Sequence, residues 1–262
     1  MIKLLLIFVI IIILFSVNTI DKTDKYTILK YFPIEYVPTV EIYDNQTDLE
    51  LVSYPVIFKP NKCGFFGHGV EKINNRDDAI RYIQQFAYDS KNIIIQEFSP
   101  YKNEVAIFIR RSLNTNRLEI ISAVTRDLQN DIVNNHCNED KCHIITDDLS
   151  ITLKDKIHEI SNIIPGLNWG RYDIKFENKE ELMKGNFHIM ELNIGPGIFP
   201  ILYPMNYDII VLWNNSDPQV IYRIIEFIIS YFIIGIVNII SGKIKINNIF
   251  ININKWIQNI SC

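Results

Sequence analysis

The sequence predicts an α+β fold with antiparallel sheets. Three observations carry that expectation. A short apolar strand at 54–60 runs through a glycine-bearing loop and a helix into a second apolar strand at 92–98. Two further strands, at 170–176 and 187–193, alternate polar and apolar residues with the period of a sheet that has one wet face. No internal repeat or low-complexity linker interrupts the chain.

The first element, the apolar run 4–17 behind Lys3, suits an uncleaved single-pass anchor; a cleaved signal or a buried segment are the alternatives. Residues 54–60 end in Lys59-Pro60 and are followed by Gly64, Gly67 and Gly69, whose freedom lets backbone N–H groups approach an anion while Lys59 supplies charge. Asn75 is placed to cap a helix over 76–87. Residues 92–98 read as a buried strand that stops at Ser99-Pro100. In 170–176, Arg171 and Asp173 share one face; in 187–193, Glu191 and Asn193 share one, with Met190 and Leu192 turned the other way. Paired as a hairpin, the two strands bring two carboxylates and an amide oxygen together. Those are donors for a hard cation that keeps positions open for phosphate oxygens, which points to a nucleotide polyphosphate. After Gly197, Asp217-Pro218 is a helix start, 219–240 is an apolar helix, and 243–246 a short strand.

Taken in order, these motifs resemble the ATP-grasp superfamily, and within it the D-alanine–D-alanine ligase-like carboxylate–amine ligases. The resemblance runs from about Asp24 to Gly197. It implies two α+β subdomains that sandwich ATP between antiparallel sheets, with Mg²⁺ or Mn²⁺, and ligation of a small carboxylate to an amine or thiol through an acyl phosphate. On this resemblance Lys25 and Lys59 are nucleotide lysines and Gly64, Gly67 and Gly69 line a lid loop. Glu97 is the hinge acid for the adenine amino group, with Phe98 beside it, and Glu104 holds the ribose. Ile57, Ile95 and Met190 pack on adenine, Arg126 stands in for a third phosphate-binding lysine, and Arg171 stabilises the phosphorylated intermediate. Asp173, Glu191 and Asn193 are the metal ligands. The implied division is an anchor at 1–20, a leading segment at 21–55, a lid subdomain at 56–96, a catalytic subdomain at 97–200 and an apolar tail at 201–262. The separate α/β domain that usually precedes the grasp core in this family has no counterpart here. A degenerate ATP-binding module, or a subunit needing a partner chain that carries a substrate domain, is therefore the alternative to a working ligase.

The 262 residues carry a net charge of -4 with no basic cluster, so neither nucleic acid nor an anionic membrane surface is implied as an electrostatic partner. Heavy use of isoleucine and asparagine inflates apparent membrane character and generates chance glycosylation sequons. Cys137 and Cys142, with His136 and His143, read first as a polar connecting loop, with a local disulfide or a metal site as alternatives. His188 reads as a strand residue without catalytic company. Membrane association through 4–17 and a need for ATP together place the catalytic domain on the cytosolic side.

Overall fold

Asp24 caps a short helix, α1 (Lys25–Leu29): its carboxylate accepts from the Thr27 N–H at 3.0 Å. The computed structural model describes residues 24–44, 46–61, 69–86, 93–112, 115–126, 142–194, 233 and 236–242. The elements that follow α1 are β1 (Val40–Ile42), β2 (Val56–Pro60), β3 (Glu71–Ile73), α2 (Arg76–Phe86), β4 (Ile93–Glu97), β5 (Asn103–Arg111) and β6 (Leu118–Arg126). Then come β7 (Cys142–Ile144), a 3-10 turn (Thr146–Asp148), α3 (Ile151–Asn162), β8 (Trp169–Phe176), α4 (Lys179–Lys184) and β9 (His188–Asn193). Every strand pairing is antiparallel. Four strands in the order β1-β4-β2-β3 make one sheet, and five in the order β7-β6-β5-β8-β9 make the other. The edge strand β1 comes from the stretch the sequence assigns to a leading segment.

The smaller sheet owns a core. Val56 and Phe58 of β2, Ile73 of β3 and Ile93 and Ile95 of β4 pack against Ala79 and Tyr82 of α2. Phe58 and Tyr82 meet edge to face with ring centroids 5.4 Å apart, and the Tyr82 hydroxyl donates to the Gly69 carbonyl. Asn75 caps α2 as its sequence predicts: its side-chain oxygen accepts from the Asp78 N–H at 3.0 Å, and its amide nitrogen donates to the Asp78 carboxylate.

The larger sheet is built around β5. Val105, Ile107 and Ile109 turn toward α3, joining Leu153, Ile157 and Ile160 in the main core, while Ala106 and Phe108 are equally buried on the opposite face. Ser150 caps α3 by accepting from the Leu153 N–H, and Ser161 on that helix bonds Tyr172 of β8 at 2.9 Å. The predicted hairpin of 170–176 and 187–193 exists as β8 and β9. Tyr172 and Ile174 are buried beneath it, which leaves Arg171, Asp173 and Lys175 on the other face. Between the two strands, α4 is capped by Asn178 and ends at Gly185, whose φ of 86° suits a residue without a Cβ.

Gly170 fixes how closely β9 can approach. A Cβ there would stand 2.9 Å from a Leu192 methyl and 3.2 Å from the Asn193 carbonyl oxygen, which is backbone and has little room to yield. Gly170→Ala is expected to cost about 1–3 kcal/mol, the usual range for overpacking, measured as a shift in the urea midpoint at unchanged m-value.

Several expectations fall outside the described residues: the 1–20 helix, the 243–246 strand, and most of the 219–240 helix, of which 236–240 is helical. Among the described residues no helix is long and apolar enough to cross a membrane. Of the stretch 136–143 only the start of β7 is described; Cys137 is not.

Candidate functional site

Lys59 is where the two sheets meet. Strand alternation turns it away from Phe58 and the small core, toward β9 of the larger sheet. It is 4% exposed, and its ammonium donates to the Met190 carbonyl at 2.9 Å and to Gln96 Oε1 at 2.8 Å. The Met190 carbonyl is accessible because β9 carries a bulge. Asp173 pairs with Glu191, but the next residue, Ile174, pairs with Ile189, so Met190 has no partner opposite. The bulge also explains why His188 and Glu191 share a face although they are three residues apart, with Ile189 and Leu192 in the core. The sequence, read with a strict period of two, misses that.

Around Lys59 the charges cluster. Lys25, at the start of α1, lies 3.4 Å from Glu191 Oε1. Its backbone is pinned to the end of β2: the Lys25 N–H donates to the Asn61 carbonyl at 3.3 Å, and the Tyr26 N–H donates to Asn61 Oδ1 at 2.9 Å. On β8, Arg171 donates to Asp173 Oδ2 at 2.8 Å, and Asn193 Nδ2 donates to the same oxygen at 3.0 Å. Asp173 Oδ1 is buried and has no hydrogen-bond partner. A buried carboxylate oxygen left in that state costs about 1–3 kcal/mol unless a cation satisfies it. With Glu191 directly across the ladder and Asn193 opposite Arg171, the donor set fits a hard divalent ion. Among the described residues no three or more of His, Cys, Asp and Glu form a metal cluster, so the candidate set is two carboxylates and an amide.

Burial pushes the Lys59 ammonium down to about 8; Glu191 resists that shift, Lys25 adds to it and Asp173 resists it. The unfolded lysine titrates near its ordinary 10.5, so between the two values the unfolded chain binds more protons than the folded one. Stability is therefore expected to rise from about pH 8 to pH 10.5, by at most about 1.4 kcal/mol per pH unit. Chemical denaturation across that range checks it, and the rise should vanish in Lys59→Met.

The larger sheet extends the same face. Glu104 is 3% exposed and is paired in register with Lys175 on β8 and Arg126 on β6. Phe98, in the link between the sheets, has the Lys72 ammonium 3.9 Å from its ring centroid and the Lys175 ammonium 5.8 Å away on the other sheet. At this hinge end His188 Nδ1 lies 3.0 Å from Ser99 Oγ, and its ring packs on Tyr101 with centroids 4.6 Å apart. Burial lowers the His188 pKa, against the Glu97 carboxylate, which raises it.

Of the residues singled out from sequence, Lys25, Lys59, Arg171, Asp173, Glu191 and Asn193 come together, with the Met190 carbonyl among them. Ile57 pairs with Gln96 and so lies on the Lys59 face. Ile95 and Glu97 require correction. Ile95 is part of the core under α2, and Glu97 is exposed on the same side of β4, accepting from the Thr39 N–H at 3.2 Å. Gly69 has a φ of 74°, and a Cβ there would stand 3.0 Å from the Pro60 ring, so its place in the turn into β3 accounts for it. Gly64 and Gly67 lie outside the described residues; Arg126 is described as backbone in β6 only. The sequence reading missed Gln96, Asn61, Lys175 and the company of His188. Gln96 emerges only with the register: with β2 and β4 antiparallel, counting in twos from the residue opposite Lys59, Ile94, reaches Gln96 and skips Glu97.

Comparison with known proteins adds a family to this geometry. The model of the ATP-grasp domain matches residues 30–160, half of the chain. No curated protein matches the sequence. Solved structures similar to this one include the Bacillus anthracis D-alanine–D-alanine ligase complexed with ATP, at 16% identity and a TM-score of 0.48, with 77% of this chain and 64% of that one covered. Another is the Aspergillus clavatus N5-carboxyaminoimidazole synthase in complex with ADP and 5-aminoimidazole ribonucleotide, at 12% identity and a TM-score of 0.46, covering 68% and 46%. The chain thus spans less than two thirds of the length of either protein.

Proposed function

The chain belongs to the ATP-grasp family, and from that premise we propose that it is an ATP- and Mg²⁺-dependent ligase that joins a carboxylate to an amine through an acyl phosphate. The observation that supports this most is Lys59, a buried cation from one sheet bonded to the backbone of the other, beside two carboxylates. A nucleotide held there would be gripped by both sheets at once.

In this reading Asp173, Glu191 and Asn193 hold the metal, which supplies charge neutralisation for the β- and γ-phosphates. The residues now paired with those ligands, Arg171 on Asp173 and Lys25 on Glu191, are the cations that a polyphosphate would draw away. Lys59 and Lys25 then neutralise phosphate oxygens. Arg171, with its planar fork, holds the acyl phosphate and the tetrahedral oxyanion that follows. Glu104 holds the ribose, and closure of the smaller sheet keeps water from the acyl phosphate. The apolar 4–17 segment would tether the domain to a membrane with the cleft on the ATP-containing side. The test is release of ADP and phosphate in the presence of Mg²⁺ and pooled amino acids and dipeptides. Acceptor-dependent release is expected; release that no acceptor changes would contradict a ligase.

A further inference from the structure

The described part of the C-terminal region turns its apolar side outward. Residues 233 and 236–240 are helical. Ile233 is 41% exposed, Ile236 41%, Val237 50% and Ile240 80%. Their spacing, i, i+3, i+4 and i+7, sets all four on one face of a helix. Asn238, on the reverse of that turn, is 4% exposed. The order expected of a helix packed on a core is thus inverted, with the amide facing inward and the aliphatic stripe facing out. The helix closes just after the stripe. The Ser241 N–H donates to the Val237 carbonyl at 2.9 Å and the Gly242 N–H to the Ile239 carbonyl at 3.1 Å, with Gly242 at a φ of 68°. The other strongly exposed aliphatic residues, Ile34, Leu51 and Ile151, stand singly on separate stretches of chain, as on any protein surface.

Charge and area together say what covers the stripe. All 30 acidic side chains lie before residue 227, whereas residues 227–262 hold Lys243, Lys245 and Lys255 and no acid. The net charge of -4, which by itself implies no anionic surface as partner, therefore averages an acidic body with a basic, isoleucine-rich end. Lys243 and Lys245 follow the stripe in sequence, and Trp256 comes later. Apolar stems with a charged head, and an indole, are the side chains that settle between lipid headgroups and acyl chains. As for area, four partly exposed aliphatic side chains offer roughly a few hundred Å², well short of the ~800 Å² per partner of a standard protein interface. A bilayer surface needs no matched partner, because its contact with apolar groups accrues group by group.

We infer that the Ile233, Ile236, Val237 and Ile240 face is a membrane-surface site. The helix lies in the plane of a bilayer with its stripe among the upper acyl chains, and the lysines that follow supply attraction to anionic headgroups. This contact is separate from the 4–17 segment and does not depend on the ligase reading. Combined with a tether at 4–17, it would fix which side of the domain faces the bilayer, since the tether raises the local concentration of lipid.

The test is amide hydrogen exchange of the full chain, followed in the peptide that covers 233–242. It is run without lipid, with neutral phosphatidylcholine vesicles, and with vesicles of phosphatidylcholine and phosphatidylglycerol in equal parts. Expected is exchange about ten-fold slower with the mixed vesicles once accessible lipid reaches about ten times its Kd, and less slowing with the neutral ones. In the double variant Ile236→Glu, Ile240→Glu the slowing should vanish even where 4–17 still carries the chain to the vesicles. Both positions are exposed, so the fold is expected to hold, which unchanged exchange in β5 and β8 checks. Wild-type exchange of 233–242 that no vesicle alters overturns the proposal, whatever the variant does. So does slowing that appears without lipid as protein concentration rises, which assigns the stripe to a second copy. Equal slowing by the two vesicle types overturns it as well, because headgroup charge then has no part in the recognition.

Discussion

Asp173→Asn is expected to reduce Mg²⁺-dependent turnover by about two to three powers of ten while leaving the fold intact. The size follows from what one carboxylate contributes to a divalent ion that carries transition-state charge on a phosphoryl group. The conservation of fold follows from the local bonds. Oδ2 accepts from Arg171 and Asn193, and an asparagine oxygen can still accept from both, so what is lost is the charge and the buried, unpartnered Oδ1. Glu191→Gln should fall by a similar factor, since Glu191 stands directly opposite Asp173 in the ladder. Initial rates of ADP release at varied Mg²⁺ check both, and raised Mg²⁺ should recover part of the loss if the effect is weakened ion binding. Full turnover in either variant would remove these residues from the metal site.

Lys59→Met is expected to weaken nucleotide binding by about two to three powers of ten, as truncating a buried, hydrogen-bonded charge generally costs about 2–5 kcal/mol. The variant should not lose its own stability to the same degree. Methionine keeps most of the stem's apolar packing, and removal of a desolvated ammonium offsets the two acceptors left behind, Gln96 Oε1 and the Met190 carbonyl. The expected signature is an unliganded melting temperature close to wild type with the nucleotide-induced rise abolished. A variant that melts early and still binds would make Lys59 a structural residue.

How much of this was legible in the sequence depended on whether a strand has one wet face. β8 and β9 do, so their alternation places Arg171, Asp173, Glu191 and Asn193 correctly, and the register that sets Asp173 against Glu191 bears out the expected pairing. β5 does not. Residues 104–110 are buried on both faces, so the period of two disappears into a continuous apolar run, and the central strand of the larger sheet went unread. At β4 the polar pair Gln96-Glu97 is ambiguous by one residue, and only the antiparallel register with β2 shows that Gln96 shares the Lys59 face. The Met190 bulge is likewise set by pairing, since nothing in the run 188–193 marks which residue is extra. Helix caps were read more readily, because Asn75 is a local signal that needs no partner strand.

The central claim is that one cleft, shared by both sheets, holds a metal and a nucleotide together. Mn²⁺ electron paramagnetic resonance tests it most directly, by following the free-ion signal as protein is added with and without a purine triphosphate, in wild type, Lys59→Met and Asp173→Asn. In the wild type the protein should capture Mn²⁺ strongly only when the triphosphate is present, and both variants should lose that coupling, one through each sheet. Capture that is indifferent to nucleotide, or that survives in both variants, would contradict a shared site.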